Sequence, residues 1–205
     1  FSDKDGITLF NHRTELFPEL EETIVNQKIN QPAMFYKLSI VHLLGGINES
    51  LHYIMDLELW WRYLSKYGQN RIKLGETILA NFRLHEESKT VSGNAGFRSE
   101  ESTVLFHMCS VLGINSAIVN YFRNNGKYFS YKWDVCSITK EALNNNLAAI
   151  YIYRAYSTGD TQFCKYAFKQ LLLNNKLKFN FQTLALFVKL YVGNISFRKY
   201  FLGNA

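Results

Sequence analysis

The stretch GGINESLHYIMDLELWWR, residues 45–62, decides how this chain is interpreted. Its glycine pair is typical of the end of a helix, because glycine adopts without strain the left-handed backbone conformation that closes many helices. The Asx-rich turn that follows leads to Asp56, where the spacing of apolar residues predicts a new helix. A polar turn between two helices holds side chains at the surface, where a ligand can reach them.

A second polar cluster, ANFRLHEESKT at residues 80–90, follows a short β-like run. Arg83 and His85 are two positions apart, so on a strand they share one face. A neutral imidazole can bind Mn²⁺ or Mg²⁺, and Arg83 or Lys89 can neutralise a phosphate. The two clusters together predict two walls of one site. The alternative for the second cluster is a solvated, charge-rich loop that binds nothing.

Together, QPAMFYKLSIVHLLGGINESLHYIMDLELWWRYL and ILANFRLHEESKT resemble the C-terminal half of the catalytic domain of bacterial family-two glycosyltransferases, over about residues 30–90. Members of this family are inverting, nucleotide-sugar-dependent enzymes with a GT-A fold. The resemblance implies that Asp56, which opens the helix, is the catalytic base and that His85 lies beside the metal and the diphosphate. Met55 and Glu58 depart from the family's pattern, which leaves acceptor specificity open.

The resemblance implies transfer of a sugar from a nucleotide-sugar donor to a saccharide or lipid-linked acceptor, in cell-surface polysaccharide synthesis, with Mn²⁺ or Mg²⁺ as cofactor. Such a reaction needs a base near the acceptor hydroxyl and positive charge at the leaving diphosphate. From its position alone, Asp56 is better explained as a helix N-cap, and it is the resemblance that favours the base. Acceptor contacts are predicted for side chains of the turn and the following helix, namely Asn48, Glu49, His52, Tyr53 and Trp60.

The nucleotide-binding half of the family carries an Asp-x-Asp metal motif, and this sequence matches it only at Asp3-Lys4-Asp5, with no apolar strand before it. That string is better explained as a turn before a short strand at 7–10. We therefore expect the chain to be the C-terminal portion of a longer enzyme. On its own it is expected to be inactive and to bind nucleotide sugars weakly.

The expected fold is α+β and mostly α. Residues 1–92 are predicted to be the acceptor-side portion of a GT-A-like α/β domain, and residues 93–205 a helical bundle or hairpin region. In the first part, short strands are predicted at 7–10, 31–36, 71–74 and 77–84, and helices at 15–27, 40–44 and 56–67. In the second, helices are predicted at 97–112, 115–124, 139–157, 161–174 and 181–192.

Composition and charge narrow the possible partners. The chain is 47% hydrophobic over 205 residues, which is enough to bury a sizeable core. Its net charge of +6 suits nucleic acid, an anionic membrane surface or a nucleotide diphosphate, but no nucleic-acid-binding motif supports the first. Three widely spaced cysteines in apolar contexts predict buried reduced thiols and a cytoplasmic protein. Peripheral contact with the inner face of the plasma membrane stays open.

The C-terminal part supports an alternative of another class, a non-enzymatic helical module that binds a protein or a membrane. Basic and aromatic residues interleave there, a pattern suited to docking on an anionic membrane. The same pattern fits an amphipathic helix packed on a core, which we favour. The residues are Lys176, Lys178, Phe179, Phe181, Phe187, Lys189, Tyr191, Phe197, Arg198, Lys199 and Tyr200.

Overall fold

The structure is a computed structural model of the 205-residue chain, and it describes residues 1–2, 5–83, 94–126, 133, 137–174, 185–186, 188 and 190. The helical elements, in chain order, are α1 (Leu20–Asn26), a 3₁₀ turn (Gln31–Ala33), α2 (Leu38–Leu43), α3 (Met55–Tyr67), α4 (Asn94–Val111), α5 (Ser116–Asn125), α6 (Lys140–Thr158) and α7 (Thr161–Leu173). Within the described residues the fold is thus helical.

The prediction of an α+β fold with a GT-A-like portion is wrong for the described part of the chain, which contains no β-strand. Ladder pairing there is limited to two isolated bridges, one joining Ser2 to Thr8 and one joining Ser2 to Arg83. A strand needs a neighbour to bond its backbone groups, and alternating side chains in the sequence do not supply one. The predicted strand at 31–36 begins instead as the 3₁₀ turn, because Pro32 fixes its own backbone in a helical range.

The predicted helices are confirmed from residue 38 to residue 174, with ends shifted by a few residues. Asn115 starts α5 by accepting a hydrogen bond from Ala117 N at 2.8 Å, and Asp160 starts α7 in the same way from Phe163 N at 2.9 Å. The helix predicted at 15–27 begins only at Leu20, because the residue before a proline, here Phe17, disfavours the helical backbone. The helix predicted at 181–192 lies mostly outside the described residues.

The chain divides into two compact units, residues 1–143 and 144–205. In the first unit α1 packs on α3, and the Trp61 indole, fully buried, donates from Nε1 to Ile24 O at 2.9 Å. The carboxylate of Glu21, also buried, accepts a hydrogen bond from Thr139 N just before α6. The predicted boundary between residues 92 and 93 falls outside the described residues and stays a prediction.

The second unit contains a helical hairpin built from most of α6 and from α7. Gly159 makes its turn with a φ of 82°, a backbone conformation that glycine adopts without strain. Across the hairpin, Tyr166 Oη donates to Asn144 Oδ1 at 2.9 Å. The buried apolar side chains that fill it include Tyr151, Ala155, Phe163, Ala167, Phe168 and Leu171.

The prediction of buried, reduced thiols is confirmed for Cys109 and Cys164, which are both free and buried, whereas Cys136 lies outside the described residues. Burial raises the pKa of both thiols, and for Cys164, where Asp160 adds to the effect, to about 12. Both thiols are therefore protonated and unreactive at neutral pH. Of the helices that the structure describes, none is long and apolar enough to cross a membrane.

Candidate functional site

The turn before α3 is a closed hydrogen-bonded unit, as its Asx-rich sequence predicts. Asn48 Oδ1 accepts from Ser50 N at 3.1 Å and from Ser50 Oγ at 2.6 Å, and Leu51 N donates to Asn48 O at 3.2 Å. Leu51 itself is buried and ties the turn to the core. The Asn48 amide oxygen is thus used within the turn, and the neighbouring Glu49 is exposed.

Glu100 of α4 holds the end of this turn. Its Oε1 accepts from His52 N at 2.9 Å, and its Oε2 accepts from Tyr53 N at 2.8 Å and from Ile54 N at 3.2 Å. The Glu100 side chain is buried, so these bonds are shielded from water. A carboxylate at the start of a helix also interacts favourably with the helix dipole. Glu100 therefore fixes the path by which the backbone enters α3.

Tyr53 makes a second contact between the turn and α4. Its ring lies 5.1 Å from the ring of Phe97, in an edge-to-face arrangement. The same ring covers the backbone of Gly96 so closely that a β-carbon at that position would overlap it. The predicted acceptor residue Tyr53 is therefore half-buried against α4, whereas His52 beside it is exposed.

Replacing Glu100 by Ala is expected to lower the free energy of unfolding by about 2–4 kcal/mol. Three backbone N–H groups would lose a charged acceptor, and hydrogen bonds to charged groups are worth about 1.5–3 kcal/mol each before water replaces some of them. Urea denaturation followed by circular dichroism measures the loss. Glu141→Ala, at an exposed acid in the first turn of α6, is the control and should change stability by about 0.5 kcal/mol or less. Equal losses in the two variants would contradict the role of Glu100.

Asp56, the predicted base, is the second residue of α3 and is half-buried. The N-cap position belongs to Ile54, which makes no side-chain cap bond, so Asp56 is not the N-cap of this helix. One of its oxygens, Oδ1, accepts from Leu57 N at 2.8 Å. Its other oxygen has no hydrogen-bond partner among the described residues, so it can accept from a ligand.

Tyr36, in the chain segment before α2, lies close enough to Asp56 for the two to interact electrostatically. Burial first, then the negative charge of Asp56, raises the pKa of the Tyr36 phenol well above its usual 10. The phenol therefore stays protonated at all physiological pH values and can donate a hydrogen bond. Sequence reasoning did not connect these two residues, which are 20 positions apart.

An ion pair between a partly exposed arginine and a buried carboxylate joins α3 to the end of α2. Glu58 is fully buried, and its Oε1 lies 2.6 Å from Arg62 Nε. The Arg62 guanidinium also donates to Gly46 O at 2.7 Å and to Leu44 O, the carbonyls at the end of α2. Arg62 thus joins α3 to the glycine pair that opens the turn. The sequence showed Glu58 only as a departure from the family's pattern.

Trp60, the remaining predicted acceptor residue, is a core side chain with 2% of its surface exposed. Its indole is stacked on the Tyr63 ring, with the ring centres 6.3 Å apart and an angle of 7° between the planes. No face of the indole is therefore open to a sugar ring in this structure. The alternative noted from the sequence, that at least one tryptophan of the pair belongs to the core, holds for both Trp60 and Trp61.

The second predicted wall of the site, residues 80–90, is described only as far as Arg83. Arg83 is exposed, and its backbone forms the isolated bridge to Ser2, while Ser2 N donates to Phe82 O at 3.0 Å. His85 and Lys89 lie outside the described residues, so their metal and phosphate roles stay predictions. Among the residues that are described, no three His, Cys, Asp or Glu side chains cluster closely enough to hold a metal ion.

Comparisons of the chain with protein-family models, with curated proteins and with solved structures found no match.

Proposed function

We propose that this chain is the acceptor-side part of an inverting glycosyltransferase, in which Asp56 is the general base. Its substrates would be a nucleotide-sugar donor and a saccharide or lipid-linked acceptor, in the synthesis of cell-surface polysaccharide. The observation that carries the proposal is the Asp56 carboxylate, half-buried in the first turn of α3, with one oxygen bonded to Leu57 N and the other without a hydrogen-bond partner among the described residues. The sequence resemblance over about residues 30–90 supports the same assignment.

The chemistry requires Asp56 to take the proton of the acceptor hydroxyl while that oxygen attacks the anomeric carbon of the donor. The bond from that carbon to the diphosphate breaks on the opposite face, so the configuration inverts and a nucleoside diphosphate leaves. A base contributes only when it is held within hydrogen-bond reach of the hydroxyl. Glu100 on one side and Arg62 on the other supply that support, because they fix both ends of the turn that leads to Asp56.

The divalent cation and the diphosphate contacts belong to the same proposal. His85, with Arg83 and Lys89, would face the leaving group, and Mn²⁺ or Mg²⁺ would neutralise its charge. A histidine ligand favours Mn²⁺, because Mg²⁺ prefers oxygen ligands. Of these side chains only Arg83 is described, and its exposed position is compatible with a phosphate contact.

The test is sugar transfer by the protein that the whole reading frame encodes. It would be incubated with UDP-, GDP- and dTDP-sugars, Mn²⁺ or Mg²⁺, and saccharide or lipid-linked acceptors, and the released nucleoside diphosphate would be measured. Acceptor-dependent release with one donor, and an inverted linkage in the product, supports the proposal. Absence of release with every donor and acceptor, from a protein shown to be folded, contradicts it.

A second candidate is a non-enzymatic module that binds a membrane or a protein. The observation that favours it is the exposure of large apolar side chains in the first unit, with Phe35 at 84%, Ile78 at 74% and Leu38 at 69% of their surface exposed. The basic and aromatic C-terminal residues that were predicted to dock on a membrane all lie outside the described residues. Co-sedimentation with anionic vesicles, read beside the sugar-transfer assay, separates the candidates: vesicle binding without sugar transfer supports the module.

A further inference from the structure

One face of α3 carries a row of aromatic side chains that begins next to Asp56. Asp56, Trp60, Tyr63 and Tyr67 follow each other at intervals of four, three and four residues. Residues at this spacing lie above one another on a single face of a helix. The core side chains Trp61 and Leu64 belong to a different face, so the row flanks the buried side of α3.

The rings of this row are in mutual contact, and one more ring joins them from outside the helix. Tyr63 lies between Trp60, at 6.3 Å, and Tyr67, at 5.5 Å between ring centres. Tyr36 meets Tyr63 edge-to-face at 6.2 Å. The partly exposed rings of Tyr36, Tyr63 and Tyr67 thus adjoin one another as one aromatic surface with Trp60 beneath it, and Tyr36 is the member that interacts electrostatically with Asp56.

The three tyrosines of this surface have exposed ring area and hydroxyl groups that no described residue binds. Tyr36, Tyr63 and Tyr67 are all half-buried, so parts of their rings reach solvent, whereas Trp60 supports them from the core. None of the three phenol hydroxyls makes a hydrogen bond with a described residue. Lys66, whose Nζ lies 5.9 Å from the centre of the Tyr67 ring, adds a cation at the far end.

We propose that Tyr36, Tyr63 and Tyr67 form the binding platform for a pyranose ring of the acceptor, with Asp56 at one edge. The inference rests on the proposed function, which it extends by naming residues that recognise the acceptor. It also moves acceptor recognition from Trp60, which is enclosed, to the tyrosines that cover it.

The chemistry of a sugar matches the surface. A pyranose presents C–H groups on its faces and hydroxyl groups around its edge. Aromatic rings bind such apolar faces, while a few polar groups at the rim fix the orientation of the ligand. Here the phenol of Tyr36 can donate and the open oxygen of Asp56 can accept, so that a hydroxyl at the edge of the ring would meet the base.

The test is saturation-transfer difference NMR on the full 205-residue chain, with methyl glycosides of glucose, galactose and mannose and with cellobiose and lactose as probes. We expect saturation of the C–H protons on one face of at least one probe. Tyr63→Ala should weaken binding roughly three- to tenfold, as expected for loss of one aromatic contact. Tyr63→Phe should keep it, because the ring face remains. Tyr67→Ala repeats the test at the helix end if Tyr63→Ala does not fold.

Tyr153→Ala is the matched control, because it removes an exposed tyrosine ring from α6 and should leave the saturation unchanged. The platform is contradicted if no probe receives saturation, or if Tyr63→Ala and Tyr67→Ala both behave as the unaltered chain. Its failure is distinct from that of the proposed function. If the platform is wrong, sugar transfer can still depend on Asp56. If Asp56 is not the base, the tyrosines can still bind a saccharide.

Discussion

Replacing Asp56 by Asn is expected to lower the turnover of sugar transfer by roughly 10²- to 10⁴-fold, the usual contribution of a positioned general base. The amide has almost the same volume as the carboxylate, and its oxygen can still accept from Leu57 N. Only the favourable interaction of the charge with the start of α3 is lost, which is worth about 0.3–1 kcal/mol. Turnover and melting temperature of the same protein preparation therefore separate catalysis from folding.

Glu141→Gln is the matched control, because Glu141 is also an acid in the first turn of a helix, here α6, and is exposed to solvent away from the candidate site. It should change turnover by about twofold or less, with the same small effect on stability. If Asp56→Asn kept near-normal turnover while the linkage of the product stayed inverted, the base would have to be another residue. Asp56 would then be a residue of the first helical turn that serves stability alone.

Replacing Arg62 by Met is expected to have the largest effect on stability, a loss of about 3–5 kcal/mol at neutral pH. The substitution keeps an unbranched, although shorter, side chain and leaves the fully buried Glu58 carboxylate without its cation. It also removes the donors that reach Leu44 O and Gly46 O at the end of α2. Urea denaturation at several pH values measures the loss.

The loss should depend on pH. Burial raises the pKa of Glu58 above its ordinary 4.5, although hydrogen bonding and charge from Arg62 oppose the shift. Without Arg62 that opposition disappears and the folded protein binds a proton more readily than the unfolded chain. The contribution of Glu58 is then most favourable at low pH and is lost as the pH rises through the folded-state pKa. The deficit of Arg62→Met should therefore be largest at neutral pH and shrink on acidification.

Two variants serve as controls for this result. Glu58→Gln removes the buried charge together with its desolvation cost, so it should be clearly milder than Arg62→Met. Lys66→Met removes a long basic side chain one turn further along α3, where its bond to Leu43 O is long and exposed. It should cost about 0.5 kcal/mol or less. A loss for Arg62→Met no greater than for Lys66→Met would contradict the role of the ion pair.

The helices of this chain could be predicted because their signals are local. The glycine pair ends α2 as expected, with φ values of 88° and 79°, and Gly68 closes α3. Asn115 and Asp160 act as caps within three residues of the groups they bind. Each of these interactions is complete within one turn of the chain, so a short window of sequence contains all of its parts.

The strands could not be predicted in the same way, because a strand depends on a partner that the local sequence does not contain. The alternation over 71–74 and 77–84 satisfies the pattern, yet the described residues pair only through Ser2. The candidate site, too, could be predicted only in part. Asp56 and its turn could be located from the sequence, but Glu100 binds the turn from 46 to 48 positions away. Nothing in the sequence around Glu100 marks this glutamate as the partner of a distant backbone segment.

The bonds from Glu100 have a consequence for the order in which this region becomes structured during synthesis. The turn that leads to Asp56 comes before Glu100 in the sequence. Its three N–H groups can therefore bond to Glu100 only after α4 has emerged from the ribosome. A polypeptide that stopped at residue 92, where the resemblance to the glycosyltransferases has ended, would contain Asp56. It would lack Glu100, which fixes the turn before Asp56. The smallest autonomous unit of the candidate site therefore extends at least as far as α4.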